Sequence, residues 1–215
     1  GYRSAPQVDF SCAARMYHEL GFTLLLADQR AHGRSQGRFL TYGVLERQDC
    51  LAWARYAYGR FGDGVPLFLC GLSMGATTVL MAADLPLPPT VRGIVADCGF
   101  TSPRDILAHV MRAQYHLPPR LLLPVMDLFA RLLAGVRLGQ CSTEETLART
   151  ALPVQLFHGE ADRFVPCEMS RRAYAACAGE KHLLTIPGAG HGASFLVDRA
   201  AYTEAVRAFL SSHLL

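Results

Sequence analysis

Residues 66–75, PLFLCGLSMG, constrain this chain more than any other stretch. An apolar run of strand character is followed at once by Gly71-Leu72-Ser73-Met74-Gly75, and then by a segment of helical character over 76–83. A G-x-S-x-G motif between a strand and a helix holds a serine on a sharp, strained turn, with its hydroxyl exposed at the strand end. Crowding explains the glycines: side chains two residues either side of the serine would press on neighbouring backbone. The bland alternative is an ordinary glycine-rich turn, and the rest of the chain decides between the two.

Four more apolar runs share the character of 66–70. They are 22–28 (FTLLLAD), 91–97 (VRGIVAD), 154–158 (VQLFH) and 182–186 (HLLTI). Each is short and nearly continuous, the pattern of parallel strands covered on both faces. Between them lie helical spacings. Phe10, Ala13, Tyr17 and Leu20 share one face, as do Met169, Ala173, Ala176 and Cys177. Leu45, Ala52 and Tyr56 thicken a poorer stripe beginning at Val44, and Val206, Phe209 and Leu210 form the last. Val125, Leu128, Phe129 and Leu132 repeat at i, i+3, i+4 and i+7 before Gly135, which suits a C-cap. This stripe reads as core cover rather than as the lining of an acyl pocket. The alternation predicts one α/β domain over 1–215, with 100–151 as a helical insertion or small cap.

Composition closes off other classes. A chain 51% hydrophobic and 18% charged is not a disordered one. The longest apolar stretch, 121–136, is broken by Pro124, Asp127 and Arg131, so no membrane segment is expected. Twenty-one basic residues against 18 acidic ones read as evenly spread, so no nucleic-acid partner is expected. The seven cysteines include no CxxC pair, and Cys70 and Cys98 sit in strand-like runs. That usage favours a reducing compartment, and the expected location is cytoplasmic. There is no HExxH and no G-x-G-x-x-G after the first strand, so neither a metal nor a nucleotide cofactor is expected.

A serine hydroxyl needs a base to become a nucleophile. Of eight histidines, His191 stands out: it lies in Gly188-Ala189-Gly190-His191-Gly192, a loop of small residues directly after HLLTI. His158, His32, His18 and His213 read as structural or solvated. The imidazole in turn needs an acid to orient it. Asp162 lies just past the strand VQLFH, at a strand C-terminal end where open α/β sheets build their sites. Glu160 and Asp97 are rivals; Asp97 ends the previous strand. The order Ser73, Asp162, His191 is that of the α/β-hydrolases.

With these residues in view, the sequence resembles the α/β-hydrolase superfamily, and within it the bacterial esterase-like serine hydrolases. The resemblance rests on Gly1-Tyr2, on DQRAHGRSQG at 28–37, on GLSMG at 71–75, on 158–166 and on 188–192. It implies Ser73 as nucleophile, Asp162 as acid and His191 as base. It implies an oxyanion hole from the backbone N–H groups of Met74 and Tyr2. It implies that DQRAHGRS is a bracing turn with Asp28 and Arg30 as pairing partners. The implied activity is carboxylesterase-like cleavage of a small acyl ester through an acyl-enzyme. A thioesterase, a peptidase and a non-catalytic binding scaffold are the alternatives.

The family pattern has eight strands in the order 1-2-4-3-5-6-7-8, and the five runs here match strands four to eight. Strands one to three would then precede Gly1. The expectation is that the isolated chain is unstable, or that the run 22–28 closes against 66–70.

Overall fold

A computed structural model describes residues 1–214. Its elements, in chain order, begin with α1 (Pro6–Asp9), α2 (Ala13–Glu19) and α3 (Glu46–Phe61). Then come β1 (Leu67–Leu72), α4 (Met74–Met81), β2 (Val91–Asp97), α5 (Pro103–Ala113), α6 (Pro119–Ala134) and α7 (Thr143–Leu147). The chain ends with β3 (Val154–Gly159), α8 (Cys167–Ala176), β4 (Lys181–Ile186), α9 (Ser194–Val197) and α10 (Arg199–Ser212).

The strands form one parallel sheet in the order β1-β2-β3-β4. Parallel neighbours need a crossover between them, and the helices supply it. Alternate residues of each strand then serve two cores. Leu69, Ile94, Ala96 and Leu156 pack with α3, α4, α7 and α8. Phe68, Cys70, Val95 and Phe157 pack on the other side with α2, α9 and α10. Burial on both faces is why these strands read as continuous apolar runs. The helix α4, next to the serine, is buried along almost its whole length.

Four of the five expected strands form. The run 22–28 does not: it takes no ladder partner, and Leu25 and Leu26 are 45% and 41% exposed. Nor does it close against β1. Its contacts are made by side chains, Phe22 meeting Phe68 edge-on at 5.8 Å and Leu24 lying against the same cluster. An apolar run specifies burial; a strand also needs a partner edge about 4.8 Å away, and among the described residues none lies beside it.

The stripe on α6 is a second correction. Its covered face is Leu123, with Leu122, Met126 and Ala130, against Ala108 and Met111 of α5 and against Leu138. Val125, Leu128, Phe129 and Leu132 point to solvent and are at least 50% exposed. Periodicity states which residues share a face, but this helix is apolar on two faces and tertiary packing covers only one. The rest of α6 follows its signals: Pro119 starts it and Gly135, at φ 69°, ends it in the left-handed conformation.

Candidate active site

The turn between β1 and α4 carries Ser73 at φ 55° and ψ −119°, a conformation costly for a residue with a Cβ. It is held on both sides. The Ser73 N–H donates to the Asp97 carbonyl at 2.8 Å, and its carbonyl accepts from the Thr77 N–H at 3.0 Å. The two motif glycines differ. A Cβ on Gly71 would meet the Gly75 carbonyl oxygen at 2.3 Å, whereas a Cβ on Gly75 would enter open space. Crowding therefore explains Gly71 and not Gly75.

Asp162 and His191 lie on loops that leave β3 and β4. The loops are tied together: the Glu160 N–H donates to the Ile186 carbonyl and the Ala161 N–H to the Ala189 carbonyl, both at 2.9 Å. Gly159 permits this, because a Cβ there would meet the Ala189 oxygen at 2.3 Å. Gly188 and Gly192, at φ 74° and 66°, let the second loop turn back over the sheet.

The result is a hydrogen-bonded chain of three side chains. His191 Nε2 lies 2.8 Å from Ser73 Oγ, and His191 Nδ1 lies 2.7 Å from Asp162 Oδ2. A carboxylate at Nδ1 favours the tautomer with the proton there, leaving Nε2 to accept from the serine. The Asp162 carboxylate is wholly buried. Burial alone would raise its pKa. Hydrogen bonds from His158, His191 and the Val165 N–H outweigh it and hold the group well below the usual carboxylate range. Oδ1 accepts from the N–H groups of Phe164 and Val165, both at 2.9 Å.

The rival acids stand elsewhere. Glu160 is exposed and accepts from Thr185 Oγ1 at 2.7 Å. Asp97 is buried beneath the serine and accepts from Ser194 Oγ at 3.0 Å. Burial pushes its pKa up to about 6, against the Ser194 hydrogen bond. His158 is fully buried, with its ring nitrogens 2.6 Å from Ser170 Oγ and 2.9 Å from the Val165 carbonyl. Nε2 is also 3.3 Å from Asp162 Oδ2. The sequence reading missed this link to the acid, although the four-residue spacing to Asp162 was there to be read.

Met74 is fully buried at the start of α4. Tyr2 lines the same cavity as Ser73 and stacks on Tyr42 at 5.7 Å. That cavity, about 460 Å³, reaches from the serine to Tyr17, Val95, Phe195 and Tyr202. In the 28–37 turn, Arg30 pairs with Asp49 through two contacts of 2.6 Å, not with Asp28. Asp28 instead accepts from the Arg34 N–H at 2.9 Å.

Cys98, Asp162 and His191 also gather ligand atoms within 4.8 Å of one another, from three separate strand ends that no sequence spacing could link. Burial keeps the Cys98 thiol well above its ordinary pKa, and the other two are hydrogen-bonded to each other. This donor set fits a protonated thiol packed beside a hydrogen-bonded aspartate and histidine better than it fits a metal.

Comparison with known proteins agrees with this architecture. A model of the alpha/beta hydrolase family matches residues 5–206, and the chain belongs to that family. It is 29% identical over 197 residues to the uncharacterized protein YqkD of Bacillus subtilis, covering 92% of this chain and 65% of that one. It is 31% identical over 196 residues to the uncharacterized protein Rv2307c of Mycobacterium tuberculosis, covering 90% and 62%. The chain thus spans somewhat under two thirds of the length of these relatives. The fold is shared with the Pyrococcus furiosus esterase Pf2001 at a TM-score of 0.79 and 21% identity, covering 100% of this chain and 80% of that one. It is shared also with ferulic-acid-bound Est1E of Butyrivibrio proteoclasticus at 0.73 and 21%, covering 100% and 86%.

Proposed function

We propose that the chain is a serine hydrolase that cleaves a small acyl ester. One observation carries the reading: Ser73, strained at the end of β1, is in hydrogen-bond line with His191 and a buried, ionised Asp162. In this mechanism Ser73 Oγ attacks the ester carbonyl while its proton passes to His191 Nε2. Asp162 steadies the imidazolium that results. The developing oxyanion is received by the Met74 and Tyr2 N–H groups. The imidazolium then gives its proton to the departing alcohol. Water, deprotonated by the same nitrogen, releases the acid and restores Ser73.

A cavity of about 460 Å³ falls within the usual range for small-molecule sites. Esterase neighbours of the same fold support the ester over other acyl derivatives.

The test is labelling with a fluorophosphonate probe together with turnover of p-nitrophenyl esters of rising chain length. Labelling that disappears in Ser73→Ala, with turnover lowered by roughly 10⁴-fold or more, is the expected result. Full esterase activity in Ser73→Ala would reject the assignment. Ligand binding with no hydrolysis at any chain length would favour a non-catalytic scaffold.

A further inference from the structure

The formal charge of the chain, +3, is matched by one short stretch. Residues 101–140 hold Arg104, Arg112, Arg120, Arg131 and Arg137 against Asp105 and Asp127, which is five minus two. The even spread read from the sequence does not survive. All five arginines are exposed, and among the described residues none enters an ion pair. The two carboxylates are engaged elsewhere: Asp105 meets Arg172 at 3.2 Å, and Asp127 accepts from the Leu138 N–H at 2.7 Å. Arg104, Arg112 and Arg120, with Asp105 as the one carboxylate, line a recess of about 200 Å³ between α5 and the start of α6.

Beside that recess runs the uncovered face of α6. Leu121 and Leu132 are 70% and 71% exposed, and Val125, Leu128, Phe129 and Leu133 continue the stripe. At 100° per residue these six fill a sector of roughly 140°, with Arg120 and Arg131 on one shoulder. Apolar surface gathered this way marks a contact with something other than water. Unpaired arginines around it call for negative charge from outside. Stripe and arginines together have the layout of a helix lying in the plane of a membrane interface. No helix among the described residues is long and apolar enough to cross a membrane.

We propose that α6 docks the protein on an anionic phospholipid surface. The stripe enters the acyl boundary, and the Arg104, Arg112 and Arg120 recess takes a headgroup phosphate. A second copy fits less well, because it would bring further unpaired arginines and no negative charge to those of this face. Leu107 of α5 belongs to the clusters of both α6 and Met74, so α6 is linked through α5 to the Ser73 end of the sheet.

The test is co-sedimentation of the full chain with vesicles of phosphatidylcholine alone, or with about a third phosphatidylglycerol. Binding at least about tenfold stronger to the anionic vesicles, weakening with added salt, is expected. The triple variant Arg104→Gln, Arg112→Gln, Arg120→Gln should lower it by about a hundredfold. Leu128→Ser with Leu132→Ser should lower it as well, with circular dichroism unchanged because both sites are exposed. Absent binding, or equal binding to neutral vesicles, overturns the proposal. So does a concentration-dependent dimer, seen by sedimentation velocity, that the leucine pair abolishes without any vesicle binding: it assigns the stripe to a second copy. None of these readouts depends on hydrolysis.

Discussion

The run 22–28 and the strand β2 are near equals in apolar character, yet they meet opposite fates. Ile94, Val95 and Ala96 of β2 are almost wholly buried, with ladder partners on both sides. Leu25 and Leu26 are more than two-fifths exposed, and no backbone partner is found among the described residues for any amide from 23 to 30. Beyond the apolar contacts of Phe22 and Leu24, what ties this region down is side-chain hydrogen bonding in the turn that follows. Gln29 Nε2 donates to Thr78 Oγ1 at 2.9 Å, Arg30 holds Asp49, and His32 Nε2 accepts from the Arg3 N–H at 3.1 Å. Apolar sequence earns a strand only where a second edge is available to share its hydrogen bonds.

Amide hydrogen exchange probes this difference most strongly. Amides of β2 and β3 should exchange at least a thousandfold more slowly than those of 23–30, since the former open only with the core. Equal protection would mean that 22–28 is paired after all. Substitutions come next. Gly71→Ala drives a Cβ into the Gly75 carbonyl and should cost about 3 kcal/mol or more in a urea titration. Gly75→Ala and Leu25→Asp should each stay within about 0.5 kcal/mol. A large loss in Leu25→Asp would show that the exposed run bears on the core.

Asp97, in the sheet, gives a pH signature. Its pKa is raised from 3.8 to about 6, so the folded state holds its proton more tightly than the unfolded state. That contribution is full below about pH 4 and is lost as pH rises through about 6, a fall of about 3 kcal/mol. Asp97→Asn should flatten this limb in urea titrations run at successive pH values. Asp162 has the opposite sign: its depressed pKa stabilises above the unfolded value, and the gain is lost as pH falls below about 4. A modest effect belongs to the partly exposed Arg30–Asp49 pair, where Arg30→Gln should cost at most about 1 kcal/mol and speed exchange around residue 30.

Much of the site was legible because its signals are local. GLSMG follows a strand and opens a helix; the aspartate and the histidine each follow a later strand. Their meeting within 2.8 Å follows once those strands lie side by side. The contribution of His158 was less visible, since its bonds to Ser170 and Val165 join residues that no motif spacing links to a base. The ring of groups around Asp97 was invisible for the same reason: Ser194 is 97 residues away in the chain.

The sequence by itself determined the periodicities, the strained serine turn, and the order of serine, acid and base, because each depends on neighbours a few residues apart. Tertiary structure alone decided that 22–28 stays unpaired, that α6 turns an apolar stripe to solvent, and that Arg104, Arg112 and Arg120 meet in one recess. Those outcomes depend on which surfaces meet in space. Apolar composition supplies the drive to bury, but only a partner surface determines which residues are buried.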